Sequence, residues 1–473
     1  MNVRAATAGV FVVALLPRLY AAIAWAREPV WDGHYYDIGA RSIAAGLGYV
    51  GQSGGAWCHY PVGYSGILGV AYAVFGAGRF TGPLLNALLG ALLAAVTFRL
   101  ARHATGDRRA AVAGLIVALY PGLIAYTPLL MTEPAAALAL VSAAWTASAH
   151  GHRPKGLVAA AVLLGLGVLI RPQSLLCAPL LALLPAGALG EIQVRAEGCV
   201  RRFWGAVGKW AGIATAVAVA IVLPWTARNC VVMDGCAFVS TNGGWNLAIG
   251  SFPRATGRFA GLHGSDGCKI VTGQVQQDRC WMRLGLGWIT GDAPRWLGLI
   301  DDKLGYTFDH ESFPIGYLGE ADPAAWPEPR KRLGRGVLSW SYRALLAVAA
   351  LGVLPTPTRR TPPTLLAFLA VGLLAFYAAA TPSHPFWPLA TLIPVIALWR
   401  WRRLTPPVLF AAGAIASVAL THAVFFGEDR YHMVVTPLLA LLAVCAFGPS
   451  APAVASTTVE PAVDEVGGLR GPR

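Results

Sequence analysis

Long apolar stretches alternate with short polar segments along most of the chain. Stretches of about 15–21 residues, close to the ~20 that a membrane-spanning helix needs, lie near 7–24, 82–100, 110–126, 130–149, 156–170, 173–189, 209–224, 336–354, 363–380, 386–399, 406–424 and 432–448. This pattern predicts an all-α polytopic membrane protein with about 12 transmembrane helices.

Two further stretches have more than one interpretation. Residues 61–76 are apolar after a turn-rich start, so we expect an amphipathic helix on the membrane surface rather than another span. Residues 1–26 loosely resemble a cleaved signal peptide, but Pro17 and Arg18 interrupt the apolar run and favour a membrane anchor.

The basic residues predict how the chain lies in the membrane. Fifteen Lys and Arg lie in alternate loops at 99–109, 150–156, 190–209, 355–362 and 400–406. The short loops on the opposite side hold only Arg171 and Arg430. Because basic loops stay in the cytoplasm, we expect a multi-pass protein of the plasma (inner) membrane with a cytoplasmic N-terminus.

This orientation predicts a domain organisation. Residues 1–224 form an N-terminal transmembrane module that includes the first outer loop, 25–81. Residues 225–335 form a small extracytoplasmic loop domain, which carries twelve basic and eleven acidic residues and is therefore solvated. Residues 336–448 form the C-terminal transmembrane helices. Residues 449–473 lack apolar periodicity and form a disordered cytoplasmic tail.

Composition excludes other classes of protein. Apolar residues make up 56% of the 473 residues and charged residues 13%, against roughly 25% charged in soluble domains. A water-exposed surface cannot be built from so few charges. The net charge of +14 would suggest nucleic acid in a soluble protein, but the basic clusters are typical of topology signals, and we expect no nucleic-acid partner.

Five of the eight cysteines lie in the two outer segments, where disulfides can persist. Their spacing suggests the pairs Cys230–Cys236 and Cys268–Cys280 and leaves Cys58 unpaired, although four cysteines allow three pairings. A zinc site is the alternative, but no CxxC or paired-histidine spacing supports it.

Polar residues near the membrane are informative because charge there is costly and usually functional. By the predicted topology they gather at the outer face, and they are Arg18, Asp32, Asp37, His59, Glu133, Arg171, Arg228, Arg343 and Arg430. A transporter would be expected to place its site near the midplane between repeated halves, and the sequence shows neither feature. We interpret Arg18 and Arg343 as side chains that snorkel to the interface.

Several motifs occur in order on the predicted outer side. The first outer loop contains VWDGHYYDIGARSIAAGLGY at 30–49 and HYPVGYSGILGVAYAVFG at 59–76. They are followed by MTEP at 131–134, LIRPQSLL at 169–176, PWTARN at 224–229, STNGGWNLAIG at 240–250 and GEDRYHMVVTPLLALLA at 427–443. This ordered set resembles the GT-C superfamily of glycosyltransferases, in particular the protein-mannosyltransferase and aminoarabinose-transferase-like branch (glycosyltransferase family 39-like).

The resemblance implies a GT-C-like fold and an enzyme that moves a hexosyl or pentosyl group from a polyprenyl-phosphate-linked donor. The acceptor would be a lipid, glycan or protein outside the cytoplasm. The resemblance also implies an acid in the first outer loop as general base, and Asp32 occupies that position. Where many members have Asp-Glu, this chain has Asp32-Gly33, and Asp37, one helical turn further on, could replace the second carboxylate.

The expected chemistry assigns roles to the other candidates. The acceptor hydroxyl must lose its proton to a carboxylate, and the phosphate leaving group needs cations or a metal ion. Arginine forms forked hydrogen bonds with phosphate, so we expect Arg171, Arg228 and Arg430 to contact the donor. Glu133 is a candidate donor or metal binder and His59 a neighbour of the site. A divalent metal ion is a candidate cofactor, although no strong ligand set is apparent.

Structural interpretations remain open for these residues. Asp32 could be a helix N-cap, Asp37 part of a solvated helix face, and Glu133 a first-turn acid that meets the helix dipole. The arginines could pair with carboxylates or snorkel, and His59 could be a loop residue. Asp309, His310 and Glu311 are adjacent, which favours a solvated loop over a metal site. The alternative functions are a transporter or flippase of a polyprenyl-linked lipid and a non-catalytic assembly subunit.

Overall fold

The computed structural model describes residues 1–185, 199–268, 273–354 and 385–447, together with residues 369, 372 and 373. Apart from isolated bridges, no strand occurs among these residues, and helices dominate. The predicted all-α class is confirmed for this part of the chain. The predicted tail and, except for those three residues, the predicted span at 363–380 lie outside the described residues.

The α-helices of the N-terminal part are Val3–Ala24, Trp31–Ala44, Val62–Phe75, Thr81–Ala101, Asp107–Leu119, Pro121–Ala125, Glu133–His150 and Pro154–Ile170. The remaining described α-helices are Cys199–Val232, Gly243–Ile249, Gln274–Gly291, Ala293–Gly298, Ile300–Phe308, Phe313–Ala321, Glu328–Gly352, Trp387–Trp399, Pro406–Val424 and Thr436–Cys445. Short 3-10 helices lie at Pro172–Cys177, Pro179–Ala182, Gly264–Asp266, Trp401–Arg403 and Tyr431–Val434.

Four of the described helices are long and apolar enough to cross a membrane, judged by length and composition. They are Val3–Ala24, Thr81–Ala101, Trp204–Val232 and Pro406–Val424. Several other apolar helices are shorter, with 10–17 residues. The count of about 12 spans therefore stays a prediction.

Prolines explain where the predicted spans differ from the helices. The predicted span 110–126 is interrupted at Tyr120, whose backbone is extended because Pro121 follows it. The predicted span 173–189 begins instead as two 3-10 helices, each starting at a proline. Pro224, in contrast, does not end its helix, which continues to Val232.

The predicted limits of the outer domain consequently fall inside helices. The helix that ends at Val232 runs through the limit at 224/225, and the helix that begins at Glu328 runs through the limit at 335/336. Both helices extend from predicted spans into the segment 225–335 without a flexible linker at the predicted limit.

Arg18 does not snorkel. Its side chain is fully buried, and its guanidinium donates hydrogen bonds to the carbonyl oxygens of Val117 (2.9 Å), Ala118 (2.6 Å) and Ala14 (2.9 Å). Val117 and Ala118 lie in the last turn of their helix, where carbonyl groups lack helical partners and the dipole favours a cation. Arg343 is also largely buried and donates to the Asp309 carbonyl oxygen (2.8 Å).

The segment 225–335 has its own apolar cluster and two disulfides. Ile249, Phe252 and Trp281 pack together with Phe426 and Tyr431, which come from the loop after the Pro406–Val424 helix. The predicted disulfides Cys230–Cys236 and Cys268–Cys280 are confirmed, and Cys58 is unpaired and buried. This cluster brings a loop from the C-terminal part of the chain against the outer segment.

Candidate functional site

Asp32 lies in the first turn of the Trp31–Ala44 helix. The N-cap of this helix is Val30, so the interpretation of Asp32 as an N-cap is wrong. Its Oδ1 accepts a hydrogen bond from the Tyr60 hydroxyl (2.9 Å), and its Oδ2 accepts one from Nη1 of Arg430. Trp31, just before it, is the only described non-glycine residue with positive φ (51°), a strained conformation of the kind that clusters at functional sites.

Arg430 is shared between two carboxylates. Its Nε lies 2.7 Å from Oε2 of Glu428, while Nη1 binds Asp32. The side chains of Asp32 and Glu428 are each 24% exposed and that of Arg430 is 14% exposed. The structure therefore shows Arg430 paired with carboxylates, which was the structural alternative for this residue. The cluster is partly exposed to solvent.

A second ion pair joins Glu133 and Arg171. Glu133 begins its helix, which is the structural alternative for this residue, and its Oε1 lies 2.7 Å from Nη1 of Arg171, which follows the Pro154–Ile170 helix. Glu133 is 1% exposed, and its Oε2 has no hydrogen-bond partner. The guanidinium of Arg171 lies 5.2 Å from the centre of the Tyr431 ring, and that of Arg430 lies 5.1 Å from it. Tyr431 thus connects the two ion pairs through cation–π contacts.

Aromatic residues complete the cluster. The guanidinium of Arg430 lies 5.0 Å from the centre of the Phe313 ring, and Tyr126 stacks on Phe313 with 6.1 Å between ring centres. Tyr126 is fully buried, and its hydroxyl has no hydrogen-bond partner. Tyr36 is buried too, and burial, with the charges of Asp32 and Glu133, raises the pKa of its hydroxyl well above the ordinary value.

Burial and neighbouring charges shift the pKa values of Asp32 and Glu428 in opposite directions. Burial by itself would raise the pKa of Asp32, but the charge of Arg430 and the hydrogen bonds from Arg430 and Tyr60 outweigh it. The pKa of Asp32 consequently lies below its ordinary value. Burial raises the pKa of Glu428 despite the charge of Arg430.

His59 lies at the edge of this cluster. Its ring centre is 4.9 Å from that of Tyr60 and 6.3 Å from that of Trp245. Burial lowers the pKa of its imidazole, although the charge of Asp32 opposes the shift. The imidazole lies next to the Asp32–Tyr60 hydrogen bond, where it can donate a hydrogen bond to a ligand or accept one from it. Because its pKa is lowered, it adds little positive charge to the cluster.

Asp37, the candidate for a second carboxylate, is bound by residues other than Arg430. Asp37 accepts hydrogen bonds from Nε of Arg41 (2.6 Å) and from the Tyr72 hydroxyl (2.6 Å). A Cβ atom at Gly33 would lie 2.3 Å from the Tyr317 hydroxyl oxygen, so a glutamate there would displace Tyr317. Glu428, which the sequence analysis missed, is the carboxylate that shares Arg430 with Asp32.

Arg228 is engaged elsewhere. It donates hydrogen bonds to the carbonyl oxygens of Trp57 (2.9 Å) and Tyr49 (3.0 Å), and its guanidinium lies 4.7 Å from the centre of the Trp225 ring. These contacts attach the first outer loop to the end of the long helix. They do not place Arg228 with Arg171 and Arg430.

The residues from Asp309 to Glu311 do not form a solvated loop. Asp309 accepts hydrogen bonds from the amides of Phe386 and Trp387, and Glu311, which is 1% exposed, accepts one from the Tyr120 hydroxyl (2.6 Å). Among the described residues, no group of three or more His, Cys, Asp or Glu side chains is arranged to hold a metal ion. The side chains described here therefore do not provide a ligand set for the divalent metal ion that was a candidate cofactor.

Six side chains of the cluster were absent from the sequence-based candidates, namely Tyr36, Tyr60, Tyr126, Phe313, Glu428 and Tyr431. Four of them, Tyr36, Tyr60, Glu428 and Tyr431, lie in the quoted motifs within four positions of Asp32, His59 or Arg430. That closeness in sequence was the available signal. Tyr126 and Phe313 had no such signal, because only packing brings them together and against Arg430.

Two solved structures are among those similar to the chain. The archaeal oligosaccharyltransferase AglB from Archaeoglobus fulgidus, in complex with an inhibitory peptide and a dolichol-phosphate, is 17% identical with a TM-score of 0.45, over 93% of this chain and 50% of that chain. ArnT from Cupriavidus metallidurans, bound to undecaprenyl phosphate, is 17% identical with a TM-score of 0.38, over 90% of this chain and 77% of that chain. The chain spans about half the length of the oligosaccharyltransferase.

The sequence also matches a protein family. No curated protein matches it significantly. The family described as dolichyl-phosphate-mannose-protein mannosyltransferase matches residues 59–226, which include His59, Glu133 and Arg171. Within residues 59–226 this match confirms the resemblance that the motifs indicated, and this part of the chain is similar to the protein-mannosyltransferase branch of the GT-C glycosyltransferases.

Proposed function

We propose that the protein is a membrane glycosyltransferase that moves a sugar from a polyprenyl-phosphate-linked donor to an acceptor outside the cytoplasm. The observation that carries this proposal is the convergence of Arg171 and Arg430 on the Tyr431 ring, with Asp32 bound to Arg430. Two cations next to a partly exposed carboxylate are what transfer from a phosphate leaving group to a hydroxyl requires.

The two arginines bind the donor phosphate. Arg430 donates a hydrogen bond from Nη1 to Asp32, and its Nε lies 2.7 Å from Glu428 Oε2 without making a hydrogen bond to it. Among the described residues, Nη2 has only a 3.4 Å contact with the Tyr431 hydroxyl. A guanidinium has five N–H donors, so Arg430 can add phosphate oxygens without releasing both carboxylates. The buried Glu133 Oε2 and Tyr126 hydroxyl lack hydrogen-bond partners. An unpaired buried polar group costs about 1–3 kcal/mol, and a charged one more. Hydroxyl groups of the donor sugar would donate to the Glu133 oxygen and pair with the Tyr126 hydroxyl.

Asp32 is the general base. As the acceptor oxygen bonds to the anomeric carbon, its proton passes to a carboxylate oxygen of Asp32. The bond from the anomeric carbon to the phosphate oxygen breaks, and its electron pair stays on the phosphate. Arg171 and Arg430 stabilise the charge that develops there, and the lipid phosphate is the second product.

Donor binding also activates the base. Without donor, Arg430 keeps the pKa of Asp32 below its ordinary value. Phosphate competes for the same guanidinium, so the pairing of Asp32 with Arg430 weakens and the pKa of Asp32 rises towards the range where a base works efficiently. Asp32 therefore accepts a proton most readily when the sugar donor is in place.

The site belongs to the extracytoplasmic face in this proposal. The first outer loop 25–81 supplies Asp32, and the short outer loops supply Arg171 and Arg430. The segment 225–335 covers the site from outside, the N-terminus lies in the cytoplasm, and the plasma (inner) membrane holds the spanning helices. The charge distribution over the loops supports this arrangement.

The test is transfer by the purified full chain in nanodiscs, with a panel of polyprenyl-phosphate sugars and cell-envelope extracts as acceptors. We expect mass spectrometry to detect released polyprenyl phosphate together with a glycosylated acceptor. The Arg430→Lys variant keeps the charge but loses the planar fork, so the KM for donor should rise more than the KM for acceptor. Movement of the lipid across proteoliposomes without a new glycosidic bond would replace this proposal with transport.

A further inference from the structure

The loop at 425–432, called here the arginine loop, is bound to the outer segment through the residue that precedes Arg430. Oδ2 of Asp429 accepts hydrogen bonds from the backbone amides of Ser312 and Phe313, the second at 2.8 Å. These amides lie at the start of the Phe313–Ala321 helix, whose own N-cap residue makes no side-chain capping bond. Asp429 therefore caps this helix from a different part of the chain.

The capped helix in turn supports Arg430. The Phe313 ring lies 5.0 Å from the guanidinium of Arg430 and 5.6 Å from the ring of Trp31, the residue before Asp32. Asp429 binds the backbone of Phe313 while Arg430 lies against its ring, so two consecutive residues of the arginine loop hold the same residue. The position of Arg430 relative to Asp32 thus depends on this attachment.

Close packing fixes the start of the arginine loop as well. The amide of Gly427 donates a hydrogen bond to the Gly257 carbonyl oxygen (2.8 Å). A Cβ atom at Gly427 would lie 1.9 Å from the Lys303 carbonyl oxygen, so only glycine allows this approach. The Lys303 ammonium lies 3.2 Å from the Val424 carbonyl oxygen and donates to it, at the end of the Pro406–Val424 helix, where a cation is favourable.

We propose that Asp429 is a positioning residue that orients Arg430 towards the donor phosphate, so that its attachment to the outer segment 225–335 shapes the donor site. This inference rests on the proposed function in one respect, the assignment of Arg430 to a lipid phosphate. Asp429 is 7% exposed. Its Oδ2 accepts both capping bonds, and these join it to the backbone of Ser312 and Phe313, not to Asp32 or Glu428. It acts through the backbone of the arginine loop.

A purely structural cap would behave differently, and the chain contains a matched example. Asp234 accepts hydrogen bonds from the amides of Val275 (3.0 Å) and Gln276 (2.8 Å) at the start of the Gln274–Gly291 helix. Like Asp429, Asp234 accepts from two consecutive amides at the start of a helix of the outer segment, but it uses one bond on each carboxylate oxygen and does not adjoin the arginine loop. Asp234→Ala is therefore the control for loss of such a cap.

The experiment measures the Kd with which the full chain, in detergent, binds undecaprenyl phosphate that carries no sugar. We expect Asp429→Ala to weaken binding about fivefold, as expected if the loss of an N-cap is passed on to Arg430. Asp429→Asn should bind nearly as well as wild type, because asparagine caps helices about as well as aspartate. Asp234→Ala should leave the Kd unchanged.

A double-mutant cycle separates positioning from general damage. If Asp429 acts through Arg430, Asp429→Ala should have little further effect on the Kd in the Arg430→Lys background. An equal fivefold loss in both backgrounds, or no loss in either, overturns the inference. If Asp429→Ala does not fold, Asp429→Ser replaces it: serine keeps a polar side chain but is too short to span the same distance to both amides, so binding should also weaken, and an unchanged Kd there overturns the inference too. A wild-type protein that binds no lipid phosphate at all would instead contradict the proposed function.

Discussion

Replacement of Asp32 with asparagine removes the proposed base while it preserves most of its surroundings. Oδ1 accepts from Tyr60 and Oδ2 from Arg430 in the native site, and an asparagine retains one oxygen acceptor with the same shape. Arg430 keeps Glu428, whose Oε2 lies 2.7 Å from its Nε. The guanidinium is therefore not left without an anion, and the ~3–5 kcal/mol cost of breaking a fully buried pair does not apply.

The expected effect is on the rate of transfer. General-base catalysis typically contributes ~10²–10⁴-fold, which is roughly 3–5 kcal/mol of barrier at about 1.36 kcal/mol per tenfold change. Arg430 lowers the pKa of Asp32, and a weaker base contributes less, while donor phosphate relieves part of this effect. We therefore expect Asp32→Asn to reduce kcat about 10³-fold.

The assay is single-turnover transfer with saturating donor, together with the Kd for lipid phosphate and the melting temperature. Asp32→Asn should fold and bind the lipid phosphate but transfer almost no sugar. Asp37→Asn is the comparison, since Asp37 binds Arg41 and Tyr72 instead, and it should retain most activity. If Asp32→Asn kept more than about a tenth of wild-type kcat while Asp37→Asn were inactive, the base would be misassigned; activity in both variants would refute a base in this loop.

Three further predictions concern pH, donor binding and sidedness. Because Arg430 lowers the pKa of Asp32, the acidic limb of the pH profile of kcat/KM should lie below the ordinary pKa range of aspartate. Arg430→Gln should move this limb to higher pH. A limb that does not move would show that it does not report the titration of Asp32. Arg171→Lys should raise the KM for donor more than that for acceptor, and unchanged donor kinetics would leave Arg171 a structural partner of Glu133. Cysteines introduced at the exposed positions Ser265 and His152 should differ in their reactivity in whole cells. The cysteine at 265 should react with an impermeant thiol reagent and the one at 152 should not, and equal labelling would contradict the predicted orientation.

The sequence determined the all-α class of the described part and the positions of some of its long apolar helices. The predicted spans 82–100 and 406–424 agree with the helices Thr81–Ala101 and Pro406–Val424, because helical hydrogen bonds join residues four apart and apolar composition is a local property. The two disulfides could also be predicted, since their cysteines are only 6 and 12 positions apart.

The motifs identified part of the site without its geometry. Asp32, Glu133, Arg171 and Arg430 could be named from the sequence, but their partners could not. Asp32 and Arg430 are 398 positions apart, and the carboxylate that shares Arg430 with Asp32 is Glu428, whereas Asp37 binds Arg41 and Tyr72. Sequence spacing carries no information about contacts of this kind.

The tertiary structure decided where buried polar groups find their partners. Arg18 meets the end of a helix about 100 positions away, Glu311 is buried against Tyr120, and Asp429 caps a helix that begins 116 positions before it. For each of these groups the sequence contains several other residues that could serve as a hydrogen-bond partner equally well on chemical grounds. A polar group removed from water must nevertheless be paired, and only the packing of the whole chain determines which partner lies within hydrogen-bond distance.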